Sequence, residues 1–435
     1  MELLEHIKRI YFNKDKLSNA DAQRSREISI FEGCTARSIL TLTSGAFLVG
    51  FAKFLGASSQ ISGIISAIHI LTGIITAISP IIYERMENRK FITCLFCLIG
   101  RLLLGLMIVI PFIKSTHVNQ ISLLIGVFFI ANLFLSFTLP ASQTWILDIT
   151  PEKIRGNYFG RRESIILGAV SIITLVMGQV LDRYEKHGNQ LTGFIILYIF
   201  VICTAITNFI LFSKIKEPCN KVQKKRISIK NIFTIPLKNR VYMIVVLLMA
   251  IWNIGFQLAA PFTSVYLISS LKLGYGLITI MTVLASITSV FTVRLWGRLA
   301  DKKSWLYLMK LMIILQALCF FIWFFINKNT LFLLPIAHIL GGAAISGINI
   351  SINNIQYRFS PKENKTIYMG FSSASNGIFG FCGTLIGAYF VKNSETLLLN
   401  VVGFTIGNMQ ILFLTAGVFI IGGRIVIQML KKVDE

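Results

Sequence analysis

Residues 121–137 read "ISLLIGVFFIANLFLSF", with no charged side chain in the run. A lipid layer offers no hydrogen-bond partner for backbone N–H and C=O groups. A run of about 20 apolar residues must therefore pair those groups within itself, as helix. The chain contains twelve such runs, at residues 36–56, 60–83, 91–113, 120–146, 163–183, 191–213, 241–269, 273–295, 305–326, 331–355, 367–391 and 405–428. This predicts an all-α polytopic membrane protein. Only 14% of residues are charged, and mean hydropathy is +0.72. Soluble domains carry about 25% charged residues.

The formal net charge of +23 would suggest a nucleic-acid partner in a soluble protein. Here the basic residues cluster in alternate loops, and no nucleic-acid partner is expected. Most of the 42 Lys and Arg fall in the N-terminal region, in segments 84–90, 147–162, 214–240, 294–303 and 356–366, and at the C-terminal end. The side rich in Lys and Arg faces the cytoplasm, so both termini are expected inside the cytoplasmic membrane. The seven cysteines suggest no disulfide framework, because Cys94, Cys97, Cys203, Cys319 and Cys382 lie in apolar runs. The N-terminus has no signal-peptide core. Leu3, Leu4, Ile7, Ile10 and Tyr11 fall on one helical face beside Lys8 and Arg9, as in a helix lying on a membrane surface.

The chain repeats itself. "PEKIRGNYFGRR" starts at Pro151, and 210 positions later "PKENKTIYMGFS" starts at Pro361. Pro151 falls on Pro361, Arg155 on Lys365, Tyr158 on Tyr368 and Gly160 on Gly370. One copy lies between spans four and five, the other between ten and eleven. "PIIYERMENRK" after span two and "WGRLADKKS" after span eight form a second pair, each with an acid then a base, Glu84-Arg85 and Asp301-Lys302. Leu55-Gly56 and Leu273-Gly274 form a third. The expected organisation is a cytoplasmic segment 1–35, a six-helix bundle 36–213, a basic linker 214–240, a second six-helix bundle 241–428 and a tail 429–435. The linker reads as a solvated arm that touches anionic membrane lipid, with a protein-binding or regulatory arm as the alternative.

Twelve spans in two halves with these loops resemble the major facilitator superfamily. In that family the loop after span two, echoed after span eight, approximates G-x-x-x-D-R-x-G-R-R. Here Gly297 and Asp301 match the second copy, with Lys302 in place of Arg. In the first copy Pro80 and Glu84 replace Gly and Asp, while Arg85 and Arg89 match. Glu87 stands where a small residue is usual. The resemblance implies a transporter that works by rocking of its halves. The acid-base turns, with Arg155 and Lys365 of the repeated frame, are then gate residues that hold one side closed. A carboxylate at one helix end can accept N–H bonds from the start of another, and an Arg can bridge onward. "TSGAFLVGFAKFLGAS" and "RGNYFGRR" resemble a bacterial subgroup without an assigned substrate.

The resemblance also implies that spans one, four, seven and ten line a central cavity, and each carries a neutral polar stripe. In span ten Ser346, Asn349, Asn353 and Gln356 share a face. Asn253, Gln257 and Ser264 do so in span seven, Asn132, Ser136 and Gln143 in span four, and Thr41 and Ser44 lie together in span one. Gln143 and Asn353 are repeat equivalents, 210 apart. These amides are candidate solute contacts, or else packing between helices. Arg101 lies midway along span three, where a lone charge is costly. It either attracts an anionic solute or pairs with a neighbouring helix. No Asp or Glu occupies the middle of a span, so movement is either facilitated or coupled to protons or another ion through Glu32 or Asp148. His69 and His338 read as buried, hydrogen-bonded histidines, and Gly380, Gly383 and Gly387 as a close-packing face.

A secondary or facilitative transporter of a small organic solute, acting as a monomer and without a cofactor or metal, is the leading expectation. A drug or amphiphile efflux carrier is the alternative within the class. A polytopic membrane enzyme or sensor is the alternative outside it. The chain has no G-x-x-x-x-G-K-(S/T), H-E-x-x-H or G-x-S-x-G, the patterns that would signal nucleotide binding, a zinc protease or a serine hydrolase.

Overall fold

The computed structural model describes residue 11 and residues 17–83, 85–218, 229–361, 365–395, 397–401 and 404–434. Among these, eleven helices are long and apolar enough to cross a membrane, or twelve if one bent pair is a single span. That pair is span one, Asn19–Leu42 and Gly45–Phe54, bent by 41°. Span two is Ser59–Thr72 and Ile75–Tyr83, span three Lys90–Leu106 with a 3₁₀ turn Met107–Phe112, and span four His117–Asp148. Spans five and six are Glu152–Lys186 and Gln190–Lys214. A short helix, Ile229–Lys238, leads to span seven, Arg240–Val265, which ends in a π turn, Tyr266–Ser270. Spans eight to eleven are Tyr275–Lys302, Trp305–Phe325, Leu333–Phe359 and Lys365–Asn393. Span twelve is Asn408–Ile421 followed by Gly423–Asp434.

Local chemistry sets several helix starts. Ser18, Ser58, Thr116, Asn239 and Ser304 precede spans one, two, four, seven and nine, and each side-chain oxygen accepts a backbone N–H three residues on. These residues supply an acceptor to N–H groups that have no carbonyl below them.

The structure differs from the predicted boundaries in four places. Span one starts at Asn19, because residues 19–35 are helical and continuous with it. Span five starts at Glu152, so "EKIRGNYFGRR" is the first three turns of a helix and not a loop. Span eight runs on to Lys302 through "WGRLADK". A two-stranded antiparallel hairpin, Leu398–Val401 with Phe404–Gly407, precedes span twelve, and no period-2 pattern had marked it. The N-terminal surface-helix reading falls mostly on residues outside the described set. Tyr11 is described, and its hydroxyl bonds the Ser213 hydroxyl at 2.7 Å.

The chain forms two compact units: Met1–Gly56 with Ile75–Ile229, and Ala57–Ile74 with Lys230–Glu435. In the first unit span three packs on spans four and six, and span one on five and six. In the second, span nine packs on ten and twelve, and span seven on eleven and twelve. The duplicated sequence thus carries a duplicated packing plan. The first helix of span two, Ser59–Thr72, packs on spans seven and eleven within the second unit.

Two backbone features mark the ends of the first span of each unit. Gly56 has φ 90° and Lys272 has φ 55°. A Cβ disfavours this left-handed conformation, which Gly adopts freely. The conformational partner of Gly56 is therefore Lys272 and not the Gly274 expected from the sequence. Gly274 has φ −67° and caps span eight.

Candidate functional site

The turn after span two is built around a carboxylate that the sequence reading did not select. Glu84 lies outside the described residues, and Arg85 is exposed. The acid that serves the start of span three is Glu217, just beyond span six. Its carboxylate accepts the backbone N–H of Arg89 at 3.0 and 3.1 Å and that of Lys90 at 2.9 Å. It also accepts Arg89 Nε at 3.1 Å. Arg89 continues to Asp148 Oδ2 at 3.3 Å and to Thr144 Oγ1 at 3.4 Å. The Arg89 and Glu217 side chains are 8% and 6% exposed. A negative charge on the positive end of a helix, shared with a guanidinium, is a strong arrangement. Lys216 is held alongside: its carbonyl accepts Trp145 Nε1 at 3.0 Å, and its N–H donates to Ser25 Oγ at 3.1 Å. The turn after span eight is bare by contrast. Asp301 and Lys302 are exposed and make no ion pair among the described residues, and a Cβ added to Gly297 would meet open space.

The repeated frame joins helices. Arg155 Nη2 donates to Thr150 O at 3.3 Å and to Leu147 O at 3.5 Å, the latter a second donor beside the Thr150 N–H, at the end of span four. The Lys365 side chain is outside the described set. Tyr158 pins span five to span one: its hydroxyl bonds the Ser29 hydroxyl and donates to Arg26 O at 3.0 Å. In the second unit Tyr368 accepts Asn239 Nδ2 at 3.3 Å, and Asn239 is Ser29 plus 210.

The same offset exposes a chemical difference between the units. Glu32 is buried in the first, 3.8 Å from Arg162 and 3.7 Å from Arg101. Asn208 of span six completes the cluster. It accepts Arg101 Nη1 and donates to Glu32 Oε1 at 3.2 Å and Thr35 Oγ1 at 2.7 Å. Adding 210 to Glu32 and Arg162 gives Tyr242 and Ser372, whose hydroxyls bond each other. One unit uses ions where the other uses hydroxyls. Arg101 is thereby paired inside its own unit.

The polar stripes divide by exposure. Gln143, Asn349 and Asn353 are exposed, and no side-chain partner is recorded for them among the described residues. Asn253 and Gln257 are half-buried, and Asn253 bonds Asn376 of span eleven at 2.9 Å. Asn132 is buried and donates to Phe128 O of its own helix at 2.8 Å. Ser346 and Gln356 are also buried, against Thr292 at 3.0 Å and Met249 at 3.1 Å. The span-ten stripe thus splits into two exposed and two packed members. His69, expected to be buried and hydrogen-bonded, is exposed and bonds Ser66 O at 2.9 Å. His338 bonds Leu334 O at 2.9 Å.

Among the residues of these networks that were missed are Glu217, Asn208, Arg162 and Asn376. Glu217 is the one acid in the basic stretch 214–240, a signal that was available. Asn208 and Asn376 lie on spans six and eleven, which the cavity argument passed over.

Residues 33–384 match the profile of the Major Facilitator Superfamily. Curated protein sequences give no match. Solved structures do. A point mutant of the nucleoside transporter NupG aligns with a TM-score of 0.72 at 15% identity, over 94% of this chain and 99% of that one. A bacterial homologue of the iron transporter ferroportin in an inward-facing state aligns at 0.69 and 12%, over 94% and 98%. A POT family transporter in complex with a thioalcohol-conjugated peptide aligns at 0.64 and 12%, over 95% and 96%. At these identities the likeness is one of fold. With the family profile covering most of its length, the chain belongs to the Major Facilitator Superfamily and is a multi-pass membrane transporter.

Proposed function

We propose that the protein moves a small, uncharged, polar solute across the cytoplasmic membrane by alternating access, with both termini inside. The observation that carries this reading is the pair Gln143 and Asn353. They are repeat equivalents and both are exposed on long apolar helices. An amide turned toward lipid is costly, so such a pair belongs on a wet surface. The solute would meet these amides, with Asn349 one turn from Asn353, and its contacts would re-form during alternating access. Asp148 and Glu32, the two carboxylates considered for coupling, each sit beside arginine, which favours facilitated movement without an ion. The Arg89–Glu217 turn, with Arg85 and Arg155, would hold the basic side.

NupG carries nucleosides, which are uncharged and polar, so nucleosides are the first solutes to test. Protein reconstituted in vesicles should pass labelled uridine along its gradient, with no dependence on an imposed pH difference. Uptake that requires the pH difference would refute facilitated movement. Flux confined to charged or strongly amphiphilic solutes would refute the solute class.

A further inference from the structure

Spans seven and eleven of the second unit meet along a seam with three amides on it. Asn253 Nδ2 uses both its hydrogens, one to Met249 O at 2.8 Å and one to Asn376 Oδ1 at 2.9 Å. No partner is recorded among the described residues for its own Oδ1, an acceptor, or for Asn376 Nδ2, which has two hydrogens to give. Gln257 stands one turn along span seven, and Thr384 of span eleven donates to its backbone carbonyl at 3.2 Å. No side-chain partner is recorded for the Gln257 amide among the described residues. All three residues are half-buried, so their spare donors and acceptors open onto accessible space.

The duplication supplies an internal control. The positions 210 earlier are Thr43 and Ile166. Thr43 is buried, with its hydroxyl bonded to Ile39 O of its own helix at 2.7 Å. Ile166 is 3% exposed and packs where a side chain on Gly33 would fall, 2.4 Å from its Cδ1. The seam between spans one and five therefore closes without an amide. Packing does not demand Asn253 and Asn376 at the seam between spans seven and eleven, and hydrocarbon would penalise their unmatched groups.

We infer that Asn376 contacts the transported solute, as the donor half of an edge whose acceptor half is Asn253 Oδ1, with Gln257 beside them. Such an edge matches a neutral solute that presents an acceptor next to a donor. The lactam edge of a pyrimidine base does so, and so do the vicinal hydroxyls of a sugar. No charged residue occurs between Arg240 and Lys272 or between Lys365 and Lys392, so neither helix of the seam brings a charge to compensate an ionic solute. This inference rests on the carrier reading above and adds span eleven to its contacts.

The test uses the full chain in vesicles with labelled uridine, 3-methyluridine, glucose and uridine monophosphate. Wild type should take up uridine or glucose and exclude the monophosphate. Uridine uptake with loss of 3-methyluridine, whose lactam N–H is blocked, identifies the lactam; glucose uptake identifies the hydroxyls. Asn376→Ile, and Asn253→Thr with Asn376→Ile, install the residues of the first unit. Both should keep the melting temperature and lose about tenfold or more in apparent affinity, the scale of an unpaired polar group. Folded variants with unchanged affinity overturn the inference. So do variants that fail to fold, since the amides would then be structural, and so does uptake of the monophosphate in preference to neutral probes. Wild-type vesicles that pass none of the four remove the carrier reading and this inference together. Wild-type flux with unaffected variants removes this inference alone.

Discussion

Removing the Glu217 carboxylate should loosen the first unit more than any surface change of equal size. The carboxylate accepts two backbone N–H groups at the start of span three and the Nε of Arg89, and both side chains are nearly buried. Solvent screening therefore discounts little. Breaking a buried pair costs about 3–5 kcal/mol, because one charge is left behind. Arg89 retains Asp148, itself half exposed, so Glu217→Ala should fall at the lower end, about 3 kcal/mol. Arg89→Ala should cost a similar amount. The double variant should cost less than the two added together, by about 1–3 kcal/mol of coupling. The assay is thermal and denaturant unfolding of the four proteins in one detergent, with hydrogen exchange at the Arg89 and Lys90 amides. Those amides should lose protection in Glu217→Ala. Losses that add to within about 0.5 kcal/mol, with unchanged exchange, would show that the short distances carry no energy, and the argument would fail.

Gly387→Ala would place its Cβ 2.3 Å from Leu258 O; a carbonyl cannot swing aside, so a loss of about 1–3 kcal/mol is expected in unfolding. Gly297→Ala meets open space inside a helix and should gain up to about 1 kcal/mol, even though both positions look like motif glycines. Arg155→Ala removes the two contacts at the end of span four and should cost about 0.5–1 kcal/mol, read as faster exchange in that last turn. Gln143→Ala and Asn353→Ala should each weaken solute affinity by about 1–3 kcal/mol while leaving the melting temperature nearly unchanged. A fall in melting temperature with affinity intact would make them packing residues.

The twelve runs and the repeat were legible because lipid leaves the backbone one local solution, and because duplication preserves spacing. Glu217 shows the limit. It is read as linker by composition, yet it sits 128 positions from Arg89 and caps that helix. No periodicity reports a contact made across such a separation. Residues 152–162 show another: their charges read as loop, yet they are helical, since a helix continues past the bilayer core wherever water can solvate its side chains.

The sequence by itself determined the class, the span count to within one bent pair and the family. The class and the span count follow from hydropathy and spacing, which act along the chain, and the family from the resemblance of its loop motifs. Only the tertiary structure decided what each polar residue does. Gln143 and Asn132 sit on the same span, yet one is exposed and the other buried. Glu32 and Tyr242 hold equivalent positions, yet one meets two guanidiniums and the other a serine hydroxyl. A side chain's free energy depends on what its neighbours from other helices present to it, and that information exists only after the helices have packed.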